Sequence, residues 1–283
     1  MNHNNTTSKQ LDNTIQSQSD TDSILQHEID LRQLQDAALN DMSASVAASQ
    51  ALVGDKQSIG ILFDEYKNNL TYYNKIKQLQ NKYKYIRNVR GDGSCFYRAY
   101  MYGIFELACN KPSVCNQLIK TIEPTLDQMC DNTSINADRF TIEDFYDTVM
   151  DQLRYIRDNQ LSSTYLIELF NDESQSESIV YYARLLTSLY LQTHIDDCAP
   201  FISDGMMTMQ EYVDRQVLRV GVDAEHLGIS ALTSIINVCC IIEYLDQTNQ
   251  QLNHHTFPNH TADTNIAVAL LYKLNHYDLL SWS

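Results

Sequence analysis

Hydrophobic and polar positions are distributed unevenly along this chain of 283 residues. The 18 tyrosines, 8 phenylalanines and single tryptophan all occur from Phe63 onward. Residues 1–22 are instead dominated by Asn, Thr, Ser, Gln and Asp. Such a segment cannot bury enough apolar surface to become ordered. The pattern therefore predicts a disordered polar leader over residues 1–22.

The next segment, from Ser23 to Val53, changes to a helical spacing of apolar residues. It contains neither Gly nor Pro, and its apolar positions include Ile24, Leu25, Ile29, Leu31, Leu34 and Ala37–Leu39. This spacing favours a marginal amphipathic helix. We expect residues 23–60 to form an N-terminal helical arm that becomes ordered on a partner, and residues 61–283 to form the main domain.

The main domain is predicted to begin with helices and to end with strands. The predicted helices are the tyrosine-rich segment 61–85, a segment that follows Thr141 with Asp144 in a capping-box position, and segments 178–191 and 228–236. Residues 238–245 form a β-rich run that we expect to pair with a C-terminal hairpin. Helices first and strands late favour an α+β fold.

The C-terminal hairpin is predicted from a mostly apolar run, a short turn and a return strand. The three parts are residues 266–273, Leu274-Asn275 and residues 276–280. Because residues i and i+2 of a strand share a face, His276 and Asp278 should stand side by side, with Tyr277 on the opposite face. A carboxylate beside an imidazole fixes its tautomer and supports the imidazolium.

The other seven histidines are weaker candidates for chemistry. His3 and His27 fall in the polar N-terminal segments, and His254, His255 and His260 fall in a predicted loop without the Cys spacing of a zinc site. His194 and His226 are better explained as structural or surface histidines. The sequence therefore favours His276 as the base.

One cysteine lies between a glycine turn and an apolar helical pattern. In Gly91-Asp-Gly-Ser-Cys-Phe-Tyr-Arg-Ala-Tyr100, the glycines permit a tight turn whose N–H groups converge. The first turn of a helix favours negative charge, and so the thiolate form of Cys95. Taken alone, the motif is explained equally well by a structural cysteine buried after a tight loop. A phosphate loop is excluded, because the G-x-x-x-x-G-K-[ST] pattern is missing and Asp92 would repel phosphate.

Composition narrows the classes of partner. A formal net charge of −16 argues against nucleic acid and suits a basic partner. Seven cysteines without C-x-x-C pairs favour reduced thiols, and hence a cytoplasmic or nuclear location. No uninterrupted apolar stretch of about 18 residues suggests a membrane span, and the N-terminus has no hydrophobic signal region.

Several motifs resemble the otubain branch of the OTU deubiquitinases. They occur in chain order as Lys82–Tyr100, Phe140–Phe145, Phe170–Asp172, Arg184–Ser188 with Tyr190–Gln192, and Leu270–Tyr272 running into His276–Asp278. The resemblance covers roughly residues 60 to 283. It implies a papain-like OTU cysteine protease fold with a small central β-sheet flanked by helices, and a thiol isopeptidase without cofactor or metal.

The resemblance also implies roles for the motif residues. Cys95 would be the nucleophile, His276 the general base and acid, and Asp278 the residue that orients His276. Asp92 matches a further active-site position, where its backbone amide could contribute with that of Cys95 or its carboxylate could pin the loop. Ser94 stands where otubains usually carry Asn, and we expect only a small effect on loop rigidity.

Ubiquitin and polyubiquitin are the implied substrates, and a ubiquitin-conjugating enzyme is a further implied partner. The residues that match ubiquitin-contacting positions are His226, Tyr244, Asp246, Tyr272 and Tyr277. Core packing with a satisfied hydroxyl explains each tyrosine equally well. Residues 219–222 depart from the family's usual sequence, which leaves the chain-linkage preference open. A monomer is the default expectation.

Three hypotheses follow from the sequence. The favoured one is a cysteine deubiquitinase that hydrolyses the isopeptide bond between the ubiquitin C-terminus and lysine. The second is a non-catalytic ubiquitin-binding inhibitor of a ubiquitin-conjugating enzyme, acting through the N-terminal arm. The third is a redox-sensing thiol protein, since an exposed thiolate oxidises readily.

Overall fold

A computed structural model describes residues 50–135, 137–202, 207–248, 251–258 and 266–282. The strands are β1 (Gln57–Ser58), β2 (Tyr85–Arg87), β3 (Cys239–Tyr244), β4 (Asn253–Phe257), β5 (Ala267–Lys273) and β6 (His276–Ser281). The first helices are α1 (Ile61–Glu65), α2 (Leu70–Lys82), α3 (Cys95–Asn110), α4 (Pro112–Ile122), α5 (Thr125–Asp131) and α6 (Arg139–Asn159). They are followed by α7 (Ser163–Asn171), α8 (Glu173–Thr193), α9 (Ile195–Cys198), α10 (Met209–Tyr212) and α11 (His226–Ile236), with a 3-10 turn over Ala199–Phe201 and a π-turn over Val213–Val217.

The strands form one six-stranded sheet in the order β1-β2-β6-β5-β3-β4. The predicted C-terminal hairpin is confirmed, because β5 and β6 pair antiparallel with Lys273 opposite His276. Its turn residues, Leu274 and Asn275, have φ of 47° and 60°, as a two-residue hairpin turn of type I′ requires. The predicted pairing of the 238–245 run is also confirmed, since β3 runs parallel to β5.

Apolar residues of the sheet alternate between two hydrophobic clusters, one on each face. Val268 and Leu270 pack into the larger cluster, which also holds most of α3. Ala269 and Leu271 pack into the smaller cluster with α2. Helix α3 approaches β5 closely, since a Cβ built at Gly103 would lie 2.5 Å from Val268 Cγ1. This helix carries Cys95 at its first position, so the packing brings the cysteine to the sheet.

The predicted N-terminal arm is largely outside the described residues, but its last part is not helical. Val53 forms an antiparallel bridge with Val89, and β1 pairs with β2. Leu52, Val53 and Ile59 are buried. The predicted helix over 23–53 is therefore wrong for residues 50–53, because backbone pairing and burial hold them against the segment that precedes residues 91–94. We call residues 91–94, which lead to the predicted nucleophile Cys95, the nucleophile turn. The polar leader over residues 1–22 and the rest of the predicted helix lie outside the described residues.

Three local predictions are corrected by the structure. The helix near Thr141 begins earlier, at Arg139, because the Asp138 carboxylate accepts a hydrogen bond from the Thr141 amide. His254 and His255 lie in strand β4, where pairing with β3 overrides their polar sequence. Tyr85 begins strand β2 instead of ending a helix. The predicted helices over 178–191 and 228–236 are confirmed as parts of α8 and α11.

Within the described ranges, no helix is both long enough and apolar enough to span a membrane.

Candidate active site

The turn that precedes Cys95 is held by a carboxylate of its own. Asp92 Oδ1 accepts a hydrogen bond of 2.9 Å from the Ser94 amide, and Gly93 adopts a φ of +76° that favours glycine. The Asp92 carboxylate also accepts two bonds from Arg98 Nη1, at 2.9 and 2.8 Å. The side chain of Asp92 therefore pins the turn, and helix α3 starts directly after it at Cys95.

Arg98 lies one turn into α3 and ties this carboxylate to helix α8. Its side chain is fully buried. Besides Asp92, it contacts Glu177 Oε1 at 2.5 Å and Ser176 Oγ at 3.2 Å. Two carboxylates therefore neutralise one buried guanidinium, which is the arrangement that makes a buried charge tolerable.

Arg184, also on α8, holds the opposite side of the turn. It is fully buried, and its guanidinium stacks on the ring of Tyr97 at 4.3 Å. Burial lowers the pKa of Arg184. Its hydrogen-bond acceptors are the carbonyls of Val217 (2.7 Å), Gly93 (2.9 Å) and Val222 (3.1 Å) and the hydroxyl of Ser94 (3.1 Å).

The imidazole and the carboxylate of the hairpin are brought together as their spacing predicts. His276 Nε2 lies 2.9 Å from Asp278 Oδ1, which also accepts a 2.9 Å bond from the Val89 amide. Lys273 Nζ lies 3.2 Å from Asp278 Oδ2. Burial alone would raise the pKa of Asp278, but the hydrogen bond from His276 and the Lys273 cation lower it below its usual value. Asp278 is thus held as a carboxylate that orients the imidazole.

The same imidazole also interacts with the side chain of Cys95. Burial alone would lower the pKa of His276, but hydrogen bonds with Asp278 and Cys95 raise it to about 10. A Cβ built at Gly91 would lie 3.4 Å from His276 Nδ1, so the glycine turn borders the imidazole. The site can therefore hold an imidazolium at neutral pH next to a sulfur nucleophile.

A further acid, Asp223, was missed by sequence reasoning. Its Oδ1 lies 3.8 Å from Cys95 Sγ, and burial raises the pKa of Asp223. Cys95 itself is only 1% exposed, which differs from the exposed thiol that the redox hypothesis assumes. The only signal near Asp223 in the sequence was the unusual segment 219–222, and nothing in that segment indicates an acid that reaches the sulfur.

Four of the five predicted ubiquitin-contacting residues line one open cleft. The cleft has a volume of about 450 Å³ and also includes Asp223 and Glu225. The four residues are His226, Tyr244, Tyr272 and Tyr277. The three tyrosine rings are in contact, with centroid distances of 5.3 Å for Tyr244–Tyr272 and 5.0 Å for Tyr272–Tyr277. The structure therefore groups these residues beside the acid that faces Cys95.

Asp246 lies outside the lining of this cleft. Its carboxylate contacts the buried Lys75 at 2.6 Å and accepts bonds from the amide and hydroxyl of Thr248. Lys75 and Thr248 thus give Asp246 local partners, and its predicted contact with ubiquitin stays a prediction.

The other cysteines lack the surroundings of Cys95. All seven cysteines are free. Burial raises the pKa of Cys109 to about 11 and raises that of Cys240 well above its usual value. A raised pKa disfavours the nucleophilic thiolate. Among the residues that the structure describes, no cluster of His, Cys, Asp and Glu has the form of a metal site.

Comparisons with known proteins identify the family of this chain. The peptidase C65 otubain family model matches residues 45–281. Ubiquitin thioesterase OTUB1 of Homo sapiens is 35% identical over 237 residues, which cover 83% of this chain and 84% of that protein. Ubiquitin thioesterase OTUB2 of Homo sapiens is 30% identical over 230 residues, which cover 81% of this chain and 94% of that protein.

A solved structure shares the fold. The h/ceOTUB1 chain in complex with ubiquitin aldehyde and UBC13~Ub matches with a TM-score of 0.77 and 28% identity, over 89% of this chain and 98% of that chain. The predicted α+β OTU fold and the otubain resemblance are thereby confirmed. The protein belongs to the peptidase C65 otubain family.

Proposed function

We propose that this protein is a cysteine deubiquitinase that hydrolyses the isopeptide bond between the C-terminus of ubiquitin and a lysine side chain. The proposal rests on the convergence of Cys95, His276 and Asp278: the imidazole lies 2.9 Å from a buried carboxylate and interacts with the side chain of Cys95. The names of the relatives, ubiquitin thioesterases, support the same substrate.

In the first step the Cys95 thiolate attacks the carbonyl carbon of the isopeptide bond. The carbonyl oxygen becomes an oxyanion, for which we propose the backbone amides of Asp92 and Cys95 as donors. His276, protonated at neutral pH, gives its proton to the lysine nitrogen as the carbon–nitrogen bond breaks. The products are a free lysine amine and a thioester between ubiquitin and Cys95.

In the second step water replaces the lysine. Neutral His276 takes a proton from the water, whose oxygen attacks the thioester carbonyl. The carbon–sulfur bond then breaks and regenerates the Cys95 thiolate beside the imidazolium. Asp278 keeps its charge throughout, since its role is to orient and stabilise the imidazole.

The aromatic cleft is the proposed binding site for the ubiquitin that donates its C-terminus. Its tyrosines supply large contact areas at low entropic cost. Asp223 and Glu225 add negative charge to its wall, and the chain carries a formal charge of −16. Carboxylates of this kind bind guanidinium groups well, so the arginines of the ubiquitin tail fit the cleft.

A ubiquitin-conjugating enzyme is a second proposed partner, because the matching h/ceOTUB1 structure contains UBC13~Ub. The complete set of Cys95, His276 and Asp278 favours catalysis over a role in binding alone. A purely inhibitory role would predict that the cysteine is dispensable for every activity of the protein.

Cleavage of diubiquitins of every linkage tests the proposal. We expect wild type to cleave at least one linkage, Cys95→Ser to lose this activity with an unchanged circular dichroism spectrum, and Cys130→Ser to retain it as the matched control. Full cleavage by Cys95→Ser would refute the proposal. Suppose instead that wild type cleaves no diubiquitin, but that wild type and Cys95→Ser both block the synthesis of ubiquitin chains by a conjugating enzyme. The inhibitory role then replaces the enzymatic one.

A further inference from the structure

Two fully buried arginines flank the nucleophile turn, and they differ in their partners. Arg98 contacts two carboxylates, those of Asp92 and Glu177. Arg184 forms no ion pair among the residues that the structure describes. Its acceptors are dipoles only, three carbonyls and one hydroxyl. Burying a guanidinium without a carboxylate partner is unfavourable. The burial of Arg184 beside the nucleophile turn therefore calls for a functional explanation.

The acceptors of Arg184 belong to two separate segments. Gly93 and Ser94 belong to the nucleophile turn, whereas Val217 and Val222 belong to the segment that ends the π-turn and leads to Asp223. One planar group therefore bridges the turn before Cys95 and the segment that places an acid beside its sulfur. A fork of fixed N–H donors suits such bridging, whereas the ammonium of lysine does not.

The two bridged segments also touch directly. A Cβ built at Gly93 would lie 2.3 Å from the carbonyl carbon of Gly221, and both glycines have positive φ. The backbones are therefore packed as closely as the absence of side chains allows. Small displacements of one segment must move the other, because no free space separates them.

We propose that Arg184 is a positioning residue for the hydrolysis: it clamps residues 217–222 onto the nucleophile turn and so fixes the turn's backbone amides where the oxyanion forms. This inference rests on the proposed function. Arg184 touches neither the substrate nor the reacting atoms in this scheme. Its effect passes through the carbonyl of Gly93 and the hydroxyl of Ser94, which directly precede Cys95.

A clamp of this kind should affect turnover more than binding. An error of about 1 Å in the placement of reacting groups costs on the order of 10²-fold in rate, and loss of one oxyanion donor costs about 10²- to 10³-fold in kcat. Reaction of Cys95 with iodoacetamide forms no oxyanion. Its rate should therefore report on the sulfur without reporting on the placement of the amides.

The test compares Arg184→Lys, Arg184→Met and Ser94→Ala with wild type, using ubiquitin that carries a fluorogenic amide at its C-terminus. We expect Arg184→Lys and Arg184→Met to lower kcat by at least about tenfold, with little change in KM and with a rate of iodoacetamide alkylation of Cys95 no lower than that of wild type. Because lysine keeps the charge, equal losses in the two variants indicate that geometry is what matters. Ser94→Ala, which removes one acceptor, should lower kcat by a smaller factor at unchanged KM.

Arg87→Met is the matched control. Arg87 is also buried, lies over a tyrosine ring (Tyr102, 5.3 Å) and donates to the carbonyl of Gly54 at 3.2 Å, but it bonds no residue of the nucleophile turn. We expect it to lower thermal stability and to leave kcat close to that of wild type.

The inference is overturned if Arg184→Lys and Ser94→Ala keep the kcat of wild type, or if Arg87→Met loses as much kcat as the Arg184 variants. If neither Arg184 variant folds, Ser94→Ala decides: a lower kcat at unchanged KM supports the clamp, and an unchanged kcat refutes it. A wild-type protein that alkylates at Cys95 but releases no fluorophore refutes the proposed function instead. The two failures are therefore distinguishable.

Discussion

The carboxylate of Asp223 lies 3.8 Å from the sulfur of Cys95 and accepts a hydrogen bond from the thiol. The contact places a carboxylate beside the atom that attacks the substrate, and two like charges at this distance repel each other. Asp223 reaches the sulfur from the segment before α11, which Arg184 fastens to the nucleophile turn. The site thus sets an imidazole and a carboxylate beside the same sulfur.

Replacing Asp223 by Asn should make Cys95 more reactive. Two unit charges about 4 Å apart interact by about 1 kcal/mol even in bulk water, so we expect at least about a fivefold faster reaction with iodoacetamide at neutral pH. Asp246→Asn is the control, since that carboxylate contacts Lys75 instead of the site. A rate for Asp223→Asn equal to or below that of wild type would show that the acid does not restrain the sulfur.

Because the pKa of His276 is raised, part of the free energy of unfolding should be lost as the pH becomes alkaline. The folded-state pKa is raised to about 10, above the ordinary value of about 6.5. The stabilisation is therefore fully present below pH 6.5 and is lost as the pH rises through about 10. We expect the free energy of unfolding of wild type to exceed that of His276→Gln at pH 6, and the difference to shrink at pH 10.

Urea titrations at both pH values measure this difference. His194→Gln is the control, because His194 lies at the end of α8 outside the site. A stability difference between wild type and His276→Gln that stays constant or grows with pH would contradict the assignment of the proton to His276.

The aromatic cleft should contribute to substrate binding more than to turnover. Tyr272 lines the cleft and contacts both Tyr244 and Tyr277. Truncation of an interface aromatic commonly costs about 2 kcal/mol or more, so Tyr272→Ala should raise KM for a ubiquitin substrate roughly 30-fold while kcat changes little. Tyr155→Ala, at an exposed tyrosine on α6, should leave KM unchanged. A normal KM for Tyr272→Ala would remove this cleft from the ubiquitin site.

The sequence predicted the C-terminal half of the site well because its signals are local. The alternation of β5 and β6 fixes which side chains share a face, so His276 and Asp278 had to be neighbours on one strand face. The glycine turn and the apolar pattern after Cys95 likewise marked the start of α3. The partnership of the two halves was implied by the otubain resemblance, and the structure places His276 in contact with both Cys95 and Asp278.

Other elements carry no such local signal. Strands β1 and β2 span only two and three residues, too few to show an alternation. Strand β4 contains His254 and His255 and is held by its pairing with β3, so its polar sequence indicated a loop. Asp223 approaches Cys95 from a segment that the long-range hydrogen bonds of Arg184 join to the nucleophile turn, and no periodicity in the sequence around Asp223 reveals these contacts.

We propose Cys95 as the nucleophile toward the C-terminus of ubiquitin. The most direct measurement is reaction of the full chain with ubiquitin that carries an electrophile at its C-terminus, followed by mass spectrometry of the digested adduct. We predict one covalent adduct per chain, on Cys95 alone, with none on the other six cysteines and none after His276→Ala. An adduct on any other cysteine, or none on the folded wild-type protein, would show that Cys95 is not the nucleophile.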